Sequence, residues 1–265
     1  MDRVGTSLQD SLEQIRQRSL ADGQDSLAQP VTEAQYDCPH CRDSEFIITR
    51  DAEGLPLARR CECHQRKNLK RLIRSSMLTN EMQEWTFDNY NPDRFTKELY
   101  EAAKDYAQNF DEIKQGKNNG FGFIGPVGVG KTHLMAAIAN TILQKFVRLI
   151  FVNTVSLIYE LRLAEFQRDN LEDINQKVYQ LQNSDVVLFD DLAKEKSTEW
   201  TQMQYYRIID HRYIHRLPTG WTTNCSLGEL AEKLGEATTS RLVQMAGGRI
   251  IQVSPGASDY RTRGV

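Results

Sequence analysis

Phe123-Ile-Gly-Pro-Val-Gly-Val-Gly-Lys-Thr-His-Leu134 carries a glycine-rich loop between two apolar runs. Gly125 to Thr132 fit G-x-x-x-x-G-K-[ST] in full, between an apolar strand-like run and the helical run HLMAAIANTIL, which is the context this motif requires. Glycines let backbone N–H groups curl around phosphate oxygens, and a helix N-terminus adds partial positive charge. Gly125, Pro126, Val127, Gly128, Val129, Gly130, Lys131, Thr132 and His133 are therefore the expected nucleotide-binding residues. Lys131 is expected to reach the β- and γ-phosphates, and the Thr132 hydroxyl to hold Mg²⁺.

Working outward, short apolar runs alternate with helical patterns from Gly120 onward. The expected strands are FGFIG (121–125), LIFVNT (149–154), DVVLFD (185–190), GWTTN (220–224) and RIIQV (249–253). Strands alternating with helices predict an α/β domain built on a parallel five-stranded sheet. In Val186-Val-Leu-Phe-Asp190-Asp191, four apolar residues form a buried strand ending in two acids, at the sheet edge where ligands gather. Asp190 is the expected Mg²⁺ partner and Asp191 the group expected to orient water. An aspartate there, one methylene shorter than glutamate, predicts modest turnover. Asn224, closing Trp221-Thr-Thr-Asn224, is expected beside the terminal phosphate.

Cys38-Pro-His-Cys41 and Cys61-Glu-Cys63 stand 19 residues apart, with a strand pattern at Phe46-Ile47-Ile48 and a Gly54 turn between them. Four thiolates match the tetrahedral demand of Zn²⁺ in a closed, structural site, with His40 or His64 as a substitute fourth ligand. Residues 65–84 read as one helix dense in Arg and Lys. Arg59, Arg60, Arg66, Lys67, Lys70, Arg71 and Arg74 face a single acid, Glu62, and suit either a phosphate backbone or a solvated helix face. A further helix is expected from about Thr96 to Gln115. Leu8, Leu12 and Ile15 suggest an amphipathic helix within residues 1–35.

Composition sets bounds. The chain has 265 residues, 40% hydrophobic and 26% charged, with a net charge of −3, so any attraction to nucleic acid must come from local patches. No apolar run approaches the roughly 18 residues of a membrane-spanning helix, and the N-terminus lacks the apolar centre of a secretory signal. The expected location is cytoplasmic, with no membrane partner.

In their order, CPHC…RCEC, TFDNY, GPVGVGKTHLMAAIAN, VVLFDDL, LPTGWTTN, TSRL and DYRTR resemble the replicative helicase loaders of the DnaC/DnaI type, within the AAA+ ATPases. The resemblance runs from about Cys38 to the end. It implies an α/β AAA+ P-loop ATPase with a small lid over residues 85–265. Before it would stand an N-terminal helicase-docking region, 1–84, carrying a zinc module at about 36–64 and the basic helix. The implied cofactors are ATP, Mg²⁺ and Zn²⁺, and the implied partners are the hexameric replicative DNA helicase and single-stranded DNA.

The resemblance also implies roles for single residues. Arg241 would be an arginine finger reaching a neighbouring copy's nucleotide, making self-association part of the activity. Arg261 would act in cis from the lid. Val155 to Asn183 would be the family's helical insertion, and Thr86-Phe87 would border the adenine. Together with Lys131, Asp190, Asp191 and Asn224, the two arginines complete the expected catalytic set. Transposition helper ATPases of the IstB type share the same core and are the alternative; the zinc module favours the loader.

Overall fold

Val186–Asp190 is buried at all five positions, and its side chains divide between two hydrophobic clusters: Val186 and Leu188 face one, Val187 and Phe189 the other. A strand apolar on both faces belongs inside a covered parallel sheet, because successive side chains point to opposite sides. The computed structural model, which describes residues 36–166, 171–254, 256, 257 and 259, places it there.

The described chain divides into two units, Met1–Cys61 and Glu62–Val265. The second holds the five-stranded sheet β3 (Phe121–Ile124), β4 (Leu149–Asn153), β5 (Val186–Asp190), β6 (Thr219–Thr223) and β7 (Ile250–Gln252), each within two residues of its expected bounds. The spatial order is β4-β5-β6-β3-β7, and every pairing is parallel. The chain therefore leaves β3 in the sheet interior and crosses to the far edge for β4, bringing the C-terminal tips of β3, β5 and β6 together at one edge.

One face of the sheet carries α3 (Lys97–Gln108) and α5 (Lys131–Gln144), whose Tyr106, Leu134 and Ile138 pack with Phe121, Phe123 and Leu188. The other face carries α6 (Thr154–Phe166), α7 (Leu171–Asn183), α8 (Glu199–Ile214), α9 (Leu227–Leu234) and α10 (Glu236–Ala246), packed around Phe189 and the fully buried Trp221. α6 and α7 fall within the segment between β4 and β5. Fully buried Arg212 on α8 joins α7 to β6: its guanidinium donates to Leu181 O, Ser184 O, Pro218 O and Thr219 Oγ1. Burial lowers its pKa to about 9.

The single basic helix expected over 65–84 is two: α1 (Cys63–Ser75) and α2 (Asn80–Gln83), separated where Met77 takes a positive φ of 65°. Leu72 and Leu78 join the cluster around α5, and Ser76 O accepts from the Phe151 N–H of β4 at 2.8 Å. Residues 62–84 thus pack with the sheet unit, ahead of the 84/85 boundary expected from sequence. The helix expected from Thr96 to Gln115 likewise breaks at Asn109 into α3 and α4 (Phe110–Ile113).

In the first unit, β1 (Phe46–Arg50) and β2 (Pro56–Arg60) form an antiparallel hairpin, Phe46 opposite Arg60. Asp51 Oδ1 closes its turn by accepting from Glu53 N and Leu55 N. The only buried side chains among residues 36–61 are Cys38, Cys41 and Cys61; Ile48 is 77% exposed. The amphipathic pattern in residues 1–35 lies outside the described residues.

Candidate functional site

The loop after β3 is shaped by two glycines in left-handed backbone, Gly128 (φ +83°) and Gly130 (φ +89°). At Gly130 a β-carbon would lie 2.4 Å from the Tyr90 ring, so this position admits only glycine on both counts. Tyr90 Oη donates to Val129 O at 2.8 Å and anchors the loop from outside. Inside the loop, the Lys131 ammonium donates to Gly125 O (2.7 Å), Pro126 O (2.8 Å) and Asn224 Oδ1 (2.7 Å). Its three protons are thus held by neutral acceptors. Burial lowers its pKa to about 8, against the pull of Asp191 and Asp190.

The two acids follow at the tip of β5. Asp190 Oδ1 accepts from Thr132 Oγ1 at 3.0 Å and from Thr222 Oγ1 at 2.7 Å. Burial raises its pKa and the Asp191 charge adds to this, while the two hydroxyls and Lys131 oppose. Asp191 has a positive φ of 56° and ion-pairs through Oδ2 with Lys194 at 2.7 Å. A hydroxyl on one carboxylate oxygen, a second carboxylate beside it and an ammonium near both is a donor set suited to Mg²⁺ and phosphate.

Val127, Gly128, Gly130, Lys131, Thr132, His133, Asp190, Asp191 and Asn224 all line one cavity of about 900 Å³, a volume within the range of small-ligand sites. Gly125 and Pro126 act through the carbonyls that hold Lys131, and Val129 is fully buried beneath the loop. The far wall is Glu81, Trp85 and Asn91. Trp85 stacks on His133, ring centroids 5.2 Å apart and planes 5° from parallel. Burial lowers the His133 pKa. Neither Thr86 nor Phe87, expected beside the adenine, is among the residues that line the cavity. The Thr86 carbonyl instead lies 3.0 Å from His133 Nε2, and Phe87 packs edge-on against Tyr100. Trp85, missed from sequence, lies one residue earlier.

Arg241 lies outside this cavity. Its Nε is 2.7 Å from Asp210 Oδ1, an ion pair without hydrogen-bond alignment, and its guanidinium lies over the Tyr206 and Tyr213 rings. Nη1 donates to Ala237 O. Arg261 lies outside the described residues.

The four cysteines form a second site. Their sulfurs all lie within 4.8 Å of one another and all four residues are buried; Cys63 is the fourth member of the group, and neither His40 nor His64 belongs to it. Cys38 Sγ and Cys61 Sγ are 3.7 Å apart. Tetrahedral Zn²⁺ with 2.3 Å bonds requires sulfurs about 3.8 Å apart, so the residues fit that metal.

The family described as IstB-like ATP binding protein matches residues 54–252. The Bacillus subtilis protein YqaM is 27% identical, over 91% of this chain and 90% of its own. The Bacillus subtilis replicative helicase loader DnaI is 28% identical, over 63% of this chain and 52% of its own. The crystal structure of the DnaC helicase loader superimposes with a TM-score of 0.57 at 27% identity, over 66% of this chain and all of that one. The match thus spans about half the length of the DnaI loader. Among the described residues, no helix is long and apolar enough to cross a membrane.

Proposed function

The chain belongs to the family of IstB-like ATP-binding proteins, and on that premise we propose that it is an ATP-dependent loader that delivers a hexameric replicative DNA helicase onto single-stranded DNA. Its similarity to the helicase loaders DnaI and DnaC supports a loader or a related ATPase, and the cysteine module is what favours the loader over an IstB-type transposition helper. The observation that carries it is the bond from Lys131 Nζ to Asn224 Oδ1, which ties the phosphate loop to the tip of β6.

Bound ATP·Mg²⁺ supplies a terminal phosphoryl group and its charge. To meet that charge Lys131 must exchange neutral acceptors for phosphate oxygens, a stronger, charge-assisted contact. Asn224 would then be free of Lys131 and able to orient water with Asp191, and Thr132 and Asp190 are the residues that would hold the metal. The tip of β6 therefore reports the state of the loop. A contact made only in one nucleotide state shifts a conformational equilibrium by its differential energy, which is what a switch between assembly and release requires. Arg241, engaged with Asp210 in its own chain, would turn to the nucleotide of a neighbouring copy, and Arg261 would act in cis.

The test is delivery of the source organism's replicative helicase onto single-stranded circular DNA, read by strand unwinding. Lys131→Ala is expected to abolish nucleotide binding and delivery. Arg241→Ala is expected to keep nucleotide binding while removing stimulated hydrolysis. If Arg241→Ala weakens binding as much as Lys131→Ala does, the trans role is wrong. Wild-type protein that binds ATP but never delivers helicase would favour the transposition helper.

A further inference from the structure

Asp191 and Ala193, with φ of +56° and +64°, make the turn after β5 left-handed at two residues with side chains. Nothing in DDLA demands this, so the conformation is held from outside. Three threonines supply the hold. Thr222 Oγ1 donates its proton to Asp190 Oδ1 at 2.7 Å and accepts the Asp191 N–H at 3.0 Å. Thr154 Oγ1, on the first residue of α6 directly after β4, donates to Asp191 O at 2.8 Å. Thr223 Oγ1 donates to Leu192 O at 2.7 Å, and Leu192 N donates to Thr222 O at 2.8 Å. Both peptide groups of Asp191 are thus pinned by side chains, one from β6 and one from the residue that follows β4.

We propose that Thr222 is a positioning residue that sets the two acids together, a reading that rests on the ATP hydrolysis proposed above. One hydroxyl spends its proton on the Asp190 carboxylate and its lone pair on the Asp191 backbone. It fixes which Asp190 oxygen is occupied and leaves Oδ2 without a hydrogen bond among the described residues, available to a metal ion. It also fixes the backbone from which the Asp191 carboxylate enters the cavity. Thr222 is fully buried and lines no part of the cavity, so it acts through the acids and not on substrate.

Valine matches threonine in shape and lacks the hydroxyl; serine keeps the hydroxyl and loses a methyl. Thr222→Val is expected to lower kcat at saturating ATP·Mg²⁺ by about 10- to 100-fold, the usual loss when a partner of a ligating group is removed. The affinity for a fluorescent ATP analogue in EDTA should stay within about threefold, a split that marks a role in the transition state and not in ground-state binding. Thr222→Ser should restore most of the turnover. In a crystal structure of Thr222→Val, Asp191 should leave the left-handed region. Thr222→Ala takes its place if the valine protein does not fold.

The proposal is overturned if kcat is unchanged, if serine is as impaired as valine, or if both acids keep their positions in the variant crystal. If the wild-type protein itself fails to bind ATP, the functional reading falls instead, and the crystal comparison still decides the role of Thr222.

Discussion

Residues 36–61 and residues 62–265 are held together by different physics. In the larger unit two apolar clusters cover the two faces of a five-stranded sheet, and residues such as Leu134, Val187 and Trp221 are wholly removed from water. In the smaller one the buried side chains are cysteines alone, and both hairpin strands are largely exposed. A segment this short cannot bury enough apolar surface to offset its chain entropy, and an isolated two-stranded hairpin is marginal in water. Among the described residues of this unit, four thiolates placed to hold a metal are the feature that could supply what an apolar core does elsewhere.

The largest expected effect that separates the two regions is metal removal. Structural zinc contributes roughly 10–16 kcal/mol of binding energy that is also folding energy. Chelation, or Cys38→Ser, should collapse the amide NMR signals of residues 46–60 and leave those of the sheet strands in place, with one zinc per chain found beforehand by elemental analysis. Loss of the sheet signals as well would contradict the division. Core truncation should show the opposite pattern. Leu134→Ala is expected to destabilise the sheet unit by about 2–5 kcal/mol in urea unfolding, whereas Ile48→Ala on the exposed hairpin should stay within about 0.5 kcal/mol. Similar costs at the two sites would mean that the hairpin is covered in solution. The smallest effect is expected at the start of α8, where Thr198 Oγ1 accepts from Thr201 N and Thr201 Oγ1 from Thr198 N. Thr198→Ala should cost about 1 kcal/mol, confined to the sheet unit and insensitive to chelator.

Legibility in the sequence follows the same divide between local and distant determinants. The phosphate loop and the five strands were readable because their signals are local: a glycine spacing, an apolar run, an acid pair at a strand end. The four cysteines were readable because soft thiolates at knuckle spacing have few other uses. What was not readable depends on strand order. Thr222 in TGWTT reads as an ordinary β-branched strand residue, and its partners Asp190 and Asp191 are some 30 positions away, brought alongside only when β6 pairs with β5. The fully buried Arg212 was invisible for the same reason, its acceptors being carbonyls of α7 and of the segment before β6. Trp85 was not legible as a cavity residue because it is the segment's fold, with a turn closed by mutual hydrogen bonds of Thr86 and Asn89, that brings its ring to the cavity. The helix break at Met77 had no glycine or proline to announce it.

In the proposed loader, the nucleotide bound at Lys131 would govern engagement of a helicase. This is tested most directly by co-elution of the full chain with its source organism's hexameric replicative helicase on a sizing column, in ATP·Mg²⁺ and in ADP. A complex that forms with ATP, weakens with ADP and is lost for Lys131→Ala is the result predicted. Absence of a complex in both nucleotide states, from protein shown to bind ATP, would contradict it.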